Sequence, residues 1–216
     1  MSALILEEYI ETGNVQDLEM LLAKQPELLN TLTSQEVSPL LLACYYQKAP
    51  IIQTILKHTK SISVHEVCAL GYDEQLELML AQRPKVIDEL STNGFSTLGI
   101  ASHFGKESAV RILLRNHANP NIPSQNGYDV YPIHAAMNAN HTSTAKLLIE
   151  GGAEVNVIQQ GGFSPLHFAA QHGNIDLIIL LLENGIDIKI LSAKGDSASE
   201  IAFQYGHQEI GKILSF

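Results

Sequence analysis

One pattern of residues recurs seven times along this chain, and such recurrence limits the fold more than any other property of the sequence. The clearest copy begins at Ser164 with Ser-Pro-Leu-His-Phe-Ala-Ala, continues through Gly173 and an apolar helical stretch, and closes with a glycine at position 185. With Gly173 as the register mark, the equivalent positions are Gly13, Gln47, Gly71, Gly105, Asn140 and Gly206. A period of this size indicates a stack of similar units rather than a single globular core.

Two columns of apolar residues follow the register marks and predict the buried face of a second helix in each unit. The two columns are three residues apart, and the next position is also apolar in most units, which is the helical period. The column five residues after the mark contains Leu18, Ile52, Leu76, Val110, Ala145, Ile178 and Gly211. The column eight residues after it contains Leu21, Ile55, Met79, Leu113, Leu148, Leu181 and Leu214.

The segments before the marks carry a Thr-Pro-Leu-His-x-Ala pattern with graded fidelity, for example at Ser38–Ala43, Ser96–Ala101 and Tyr131–Ala136. In these features the chain resembles the ankyrin repeat, a two-helix unit of about 33 residues. The resemblance covers residues 3–216 and implies one all-α domain, a solenoid of about seven helix-turn-helix repeats with short β-hairpin fingers between them. The predicted repeats span approximately 3–34, 35–60, 61–92, 93–125, 126–158, 159–191 and 192–216.

Two spacings depart from the family pattern. Only 24 residues separate Gln47 from Gly71, so we expect no finger between the second and third repeats and a notch in the row of fingers. The segment Gln125–Tyr131 adds two residues and predicts one longer finger. Segments 25–30 and 83–88 place a proline just past a helix, followed by an apolar pair that we expect to be extended. This variant is similar to ankyrin proteins of bacterial type and favours a prokaryotic source.

Composition bounds the location and the partners of the chain. It is 45% apolar with no Trp, and no apolar stretch approaches the ~20 residues of a membrane span, so we expect a cytoplasmic protein without a membrane role. The formal net charge of −10 opposes binding to nucleic acid. Through Glu89 there are 13 acidic and 6 basic residues, against 10 and 7 beyond it, so the acidic bias lies in the N-terminal half. We expect a monomer.

The histidines and cysteines are candidates for metal ligands or catalytic residues. The resemblance assigns His65, His134 and His167 to the fourth position of the Thr-Pro-Leu-His pattern, where the family's ring bonds backbone and joins neighbouring turns. His141 and His207 follow a register mark and begin second helices, and a positive φ is expected at His117 in place of a closing glycine. No framework role is evident for His58, His103 and His172. No phosphate loop or complete metal motif occurs, so we expect no cofactor, metal or nucleotide.

Cys44 and Cys68 each lie three residues before a register mark, where the clearest copy has alanine. A small side chain is needed there because adjacent helices approach closely. We therefore expect two buried, reduced thiols.

The resemblance implies a non-catalytic module that binds a protein or peptide on its concave, finger-lined face. Rings and histidines at variable positions before the marks and at the finger bases form the predicted contact strip, which contains Tyr45, Tyr46, Phe95, His103, Phe104, Tyr128, Phe163, His172 and Tyr205. A structural role competes with this one: the rings, Phe95 and Phe163 above all, pack across the bases of their fingers.

Two other functions compete with the binding module. The first is an inhibitor or antitoxin-like neutraliser whose acidic face covers a basic surface of its partner. The second is an enzyme whose groove site uses His103, His172 and carboxylates. Salt-sensitive binding would favour the first, and a metal or a catalytic pocket would favour the second.

Overall fold

A computed structural model describes residues 2–215. The chain forms helices that follow one another in pairs, with a 3-10 helix at Pro26–Asn30 and another at Pro84–Asp88. The fourteen α-helices of the described residues are α1 (Ser2–Thr12), α2 (Val15–Lys24), α3 (Pro39–Tyr45), α4 (Ala49–His58), α5 (Val64–Leu70), α6 (Asp73–Gln82), α7 (Thr97–His103), α8 (Glu107–Arg115), α9 (Pro132–Asn138), α10 (Thr142–Glu150), α11 (Pro165–His172), α12 (Ile175–Glu183), α13 (Ala198–Gln204) and α14 (Gln208–Ile213).

The register marks are the turns within these helix pairs, and every one has a left-handed backbone. Their φ angles lie between 53° and 86°, including the two positions that are not glycine, Gln47 and Asn140. Left-handed backbone at a helix end is the geometry that glycine favours and asparagine tolerates. His117 also has a positive φ of 68°, as predicted. The register marks that recur in the sequence therefore correspond to left-handed backbone positions that recur in the structure.

Polar side chains cap the N-terminal ends of several of these short helices. The hydroxyls of Ser38 and Ser96 accept hydrogen bonds from the backbone N–H groups of the first turns of α3 and α7. Asn14 and Asn174 cap α2 and α12 in the same way. Each cap satisfies one of the N–H groups that a helix leaves without a partner at its start.

The odd-numbered and the even-numbered helices pack mainly as two neighbouring rows, and the predicted columns lie between them. Leu113, Leu148 and Leu181 are fully buried, as are Leu76 and Ile178 in the other column. The exceptions are in the first three repeats, where three members of the two columns are only partly buried: Leu21, Ile52 and Met79. Within the described residues no helix combines the length and the apolar character needed to cross a membrane.

The fingers are hydrogen-bonded loops rather than hairpins with extended strands. In four of them the first residue donates its N–H to the carbonyl four residues later, at residues 33–37, 91–95, 159–163 and 192–196. The loop at 124–130 spans two residues more, as the inserted residues predict. Only two isolated antiparallel bridges occur in residues 2–215, Leu90 with Ser96 and Leu191 with Ser197, because the loop arms are too short for a ladder.

The predicted notch is bridged rather than open. Residues 59–62, between α4 and α5, make no backbone–backbone hydrogen bond in the described chain, so no finger forms there. However, the hydroxyl of Thr92 donates to the carbonyl of Glu36, which joins the fingers on either side. On the helix side Tyr45 of α3 reaches the rings of His103 and Phe104, at centroid distances of 5.2 and 5.0 Å. The second and fourth repeats thus touch across the third.

Two further expectations need correction. The segments after α2 and α6 are 3-10 helices, not extended chain, because proline at the first helical position supplies the φ that a helix needs. His65 does not occupy the fourth position of its motif, because the third repeat is one residue shorter between its cap and its mark. Glu66 stands there and forms a capping box with Ser63, while the His65 ring still donates to the Glu89 carbonyl at 3.0 Å.

Candidate functional site

A cavity of about 480 Å³ lies between the fingers and the first helices of the second, fourth, fifth and sixth repeats. Its apolar wall includes Val37, Phe95, Ile100, Val130 and Phe168. Because the third repeat has no finger, the lining passes from α3 directly to α7. We call this cavity the groove.

Four of the predicted strip residues line the groove: Tyr45, Tyr46, Phe95 and His103. Phe104 joins them through ring contacts, since it lies edge-on to His103 at 4.9 Å and tilted against Tyr45. Burial raises the pKa of the Tyr45 hydroxyl and lowers the pKa of His103, so both groups are neutral near pH 7. The structure thus brings five of the nine predicted residues together as a neutral aromatic cluster.

The other four predicted residues lie elsewhere. Phe163 packs against His167 and Phe168 at 5.4 and 5.5 Å, which is the competing packing role at a finger base. The side chains of Tyr128 and Tyr205 are exposed, in the long finger and at the end of α13. The ring of His172 donates to the Asn138 carbonyl at 2.9 Å.

Four amide side chains complete the lining. They were not predicted from the sequence, because the predicted strip contained only aromatic residues and histidines. They are Gln35 and Gln159 from two fingers, Asn93 from a third, and Asn138 at the end of α9. A signal was available: Gln35 and Asn93 each stand three residues before the serine that caps the following helix. Amides offer donors and acceptors without charge, which suits the recognition of a peptide backbone.

Charge is absent from the groove and concentrated elsewhere. No Lys, Arg, Asp or Glu is among the residues that line it in the described chain. The same holds for the sequences of α3, α7, α9 and α11. Charges lie instead on the second helices, for example Glu19 on α2 and Glu77 on α6, and on α1, which carries Glu7, Glu8 and Glu11. The acidic bias is therefore a property of α1, the second helices and the loops.

Three more histidines contact the backbone or a carboxylate. His134 is fully buried, donates to the Val157 carbonyl at 3.2 Å, and has its pKa lowered to about 4 by burial. His167 donates to the Asp196 carbonyl at 3.3 Å. His58, which the sequence left unexplained, donates to the Glu19 carboxylate at 2.9 Å and lowers the pKa of that group.

Neither metal nor thiol chemistry is assembled in the described residues. Within residues 2–215 no three His, Cys, Asp or Glu side chains gather as metal ligands. His103 and His172 lie in different repeats, and the groove lacks the carboxylates that the enzyme hypothesis requires. Both cysteines are free and buried, and burial raises the pKa of Cys44 to about 12 and that of Cys68 further still. Such thiols are poor nucleophiles.

The helix pairs, the left-handed turns and the stacked fingers find their counterpart among known proteins. The family model described as "Ankyrin repeats (3 copies)" matches residues 64–159, 98–192 and 133–215. The chain belongs to the ankyrin-repeat family. Ankyrin repeats are typically non-catalytic and generally act as protein–protein interaction modules.

Two curated relatives share part of the sequence. The ankyrin repeat-containing protein P1E11.10 of Schizosaccharomyces pombe is 39% identical over 67 residues, which is 31% of either chain. The target of rapamycin complex 2 subunit AVO2 of Saccharomyces cerevisiae is 26% identical over 179 residues, 74% of this chain and 41% of that protein. This ankyrin-repeat chain thus spans well under half the length of each relative. Both relatives are from yeasts and lend no support to a prokaryotic source.

Proposed function

We propose that this ankyrin-repeat chain binds an extended segment of another protein in the groove, on the concave, finger-lined side implied by the family resemblance. The observation that carries the proposal is a neutral cavity with an aromatic wall and amide side chains around it. Apolar pockets with a few placed polar groups are the usual form of a binding site. The AVO2 relative is a subunit of a complex, which agrees with a role in assembly.

The lining also defines the chemistry of the segment. A charged side chain would lose its hydration in a cavity without a countercharge, which is strongly unfavourable. An aliphatic or aromatic side chain instead buries its area against Phe95, Ile100 and Phe168. The amides of Gln35 and Asn138 line the same cavity and would supply donors and acceptors to the backbone that flanks it. The proposed ligand is therefore an uncharged, extended stretch with one large apolar anchor.

The charge distribution also separates this proposal from the neutraliser hypothesis. An acidic inhibitor would use the outer helices, for example the carboxylates of α2 and α6, and its affinity would fall steeply as salt rises. Binding in the groove would change little with salt. The salt dependence of affinity therefore distinguishes the two surfaces before any residue is mutated.

Selection from a displayed library of random peptides, followed by calorimetric titration of the selected peptides, tests the proposal. The variant Asn138→Lys places a charge at the groove without disturbing the core, because Asn138 is exposed and only its backbone carbonyl bonds His172. We expect selected peptides to share an apolar anchor and to bind this variant at least ~10-fold more weakly.

The matched control is Ser143→Lys, an exposed position on α10 in the same repeat, for which affinity should not change. Selected peptides that are uniformly basic, or equal affinity for Asn138→Lys and the unmodified chain, would place binding outside the groove.

A further inference from the structure

A second apolar surface lies on the outer side of α12. Ile175, Ile179 and Leu182 follow one another at intervals of four and three residues, which places them on one face of the helix. Their exposed fractions are 41, 46 and 41%, whereas Ile178 and Leu181 on the other face are fully buried. This helix therefore fills the core with one apolar face and presents another to solvent.

Repeat stacking does not account for the isoleucine at position 179. It stands six residues after its register mark, where every other repeat has a charged or amide side chain: Glu19, Gln53, Glu77, Arg111, Lys146 and Lys212. Because the fold accepts hydrophilic residues throughout this column, the apolar residue in the sixth repeat serves no stacking requirement. Exposed apolar residues that cluster without such a requirement mark interaction surfaces.

The charges that α12 itself carries beside this stripe are both negative. Asp176 and Glu183 are the charged residues of α12, seven residues apart, and both are exposed. Neither forms an ion pair within residues 2–215. On the flanking helices the charges are already paired: Lys146 with Glu150 on α10 at 4.0 Å, and Lys212 with Glu209 on α14 at 2.7 Å. The stripe therefore borders two unneutralised carboxylates.

We propose that this surface, formed by Ile175, Asp176, Ile179, Leu182 and Glu183 and called the α12 face, docks a basic amphipathic helix of a partner protein. The apolar side of such a helix would cover the isoleucines, and its Lys or Arg side chains would meet the two carboxylates. Helix against helix is a common mode of recognition, and complementary charge sets its orientation. A second copy of this chain fits poorly, because it would bring carboxylates against carboxylates. The α12 face is separate from the groove and does not depend on the function proposed for it.

The test uses two synthetic amphipathic peptides of about 18 residues, long enough to cover α12 with good helical content. One has Leu at i, i+3, i+4 and i+7 with Lys elsewhere, and the other has Glu in place of Lys. Each is titrated calorimetrically into the whole chain at physiological ionic strength. We expect binding of the Leu/Lys peptide and none of the Leu/Glu peptide.

Neutral variants separate docking on the α12 face from nonspecific attraction to an acidic protein. Ile179→Gln reproduces the Gln53 of the second repeat and should weaken binding at least ~10-fold, a hot-spot effect. The control Leu78→Gln changes a residue that is 59% exposed on α6, outside the α12 face, and should leave affinity unchanged. The pair Asp176→Asn and Glu183→Gln should weaken binding and reduce its salt dependence.

Three results would overturn the proposal. Equal affinity for the two peptides would remove the charge argument, and undiminished affinity of Ile179→Gln would remove the site. Concentration-dependent dimerisation in sedimentation, abolished by Ile179→Gln, would assign the α12 face to a second copy of the chain instead.

Discussion

The imidazole of His207 lies over the backbone of Gly173, the register mark of the preceding repeat. A Cβ at this glycine would overlap the Cε1 and Nδ1 atoms of the ring, and φ is already 66°. The ring is held in place because it donates to the Gln171 carbonyl at 3.1 Å. The same arrangement occurs two repeats earlier, where His141 lies over Gly105 and donates to the His103 carbonyl. Glycine is needed at these positions for two reasons: the backbone is left-handed, and a side chain would collide with the histidine ring.

This relationship predicts that two equivalent glycines respond differently to alanine. Gly206→Ala should cost about 1 kcal/mol, because φ is 86° but a Cβ there meets nothing within 4 Å. Gly173→Ala should cost more, because the added Cβ also displaces His207. Urea unfolding of both variants measures the difference.

A double-mutant cycle isolates the energetic cost of the overlap between the added Cβ and the His207 ring. In the His207→Ala background the Gly173→Ala substitution should become less destabilising by about 1 kcal/mol or more. Additive effects would show that the ring moves aside freely and that handedness alone selects glycine at this mark.

His134 predicts acid sensitivity. Its folded pKa is about 4, because burial disfavours the charged ring, against 6.5 for the exposed group. Between these values the unfolded chain binds more protons, so stability is complete above pH 6.5 and falls as the pH drops to about 4. The full contribution of this residue is about 3 kcal/mol, and His65, His103 and His167 act in the same direction.

Measurement of the free energy of unfolding at several pH values tests this origin. His134→Gln has no titrating group at this position, so its loss of stability between pH 6.5 and 4 should be smaller than that of the unmodified chain, although it starts from a lower value at pH 7.5. Parallel curves for the two proteins would assign the acid sensitivity to other residues.

Adjacent leucines of α12 provide a test of the buried columns. Leu181 is fully buried, and its replacement by alanine should lower the free energy of unfolding by ~2–5 kcal/mol. Leu182→Ala removes the same atoms from a side chain that is 41% exposed and should have a clearly smaller effect. Denaturant titration of both variants gives the comparison, and similar losses would mean that the core boundary within this helix is misplaced.

What the sequence predicted correctly is what short stretches of chain determine. The helix pairs, the positive φ at His117 and the buried stripe each depend on a few neighbouring residues. The groove could be predicted only in part, because its lining joins residues from repeats that are not consecutive. Tyr45 and His103 are 58 positions apart and their rings are in contact, and the equivalent position of the third repeat between them is the small Ala69. The pair of Glu19 and His58 was missed because its members are 39 positions apart, in two different repeats.

The bridge across the third repeat has a consequence for how the array unfolds. Stability of a solenoid is usually a sum over single units and the interfaces between consecutive ones. Here the contact of Tyr45 with His103 joins the second repeat to the fourth and adds a next-nearest-neighbour coupling, which no consecutive pair contains. Fraying that starts at the N-terminal end must break this coupling when the second repeat unfolds, in addition to the interfaces between consecutive units. An array that has unfolded only through its second repeat has therefore already lost a contact of its fourth repeat.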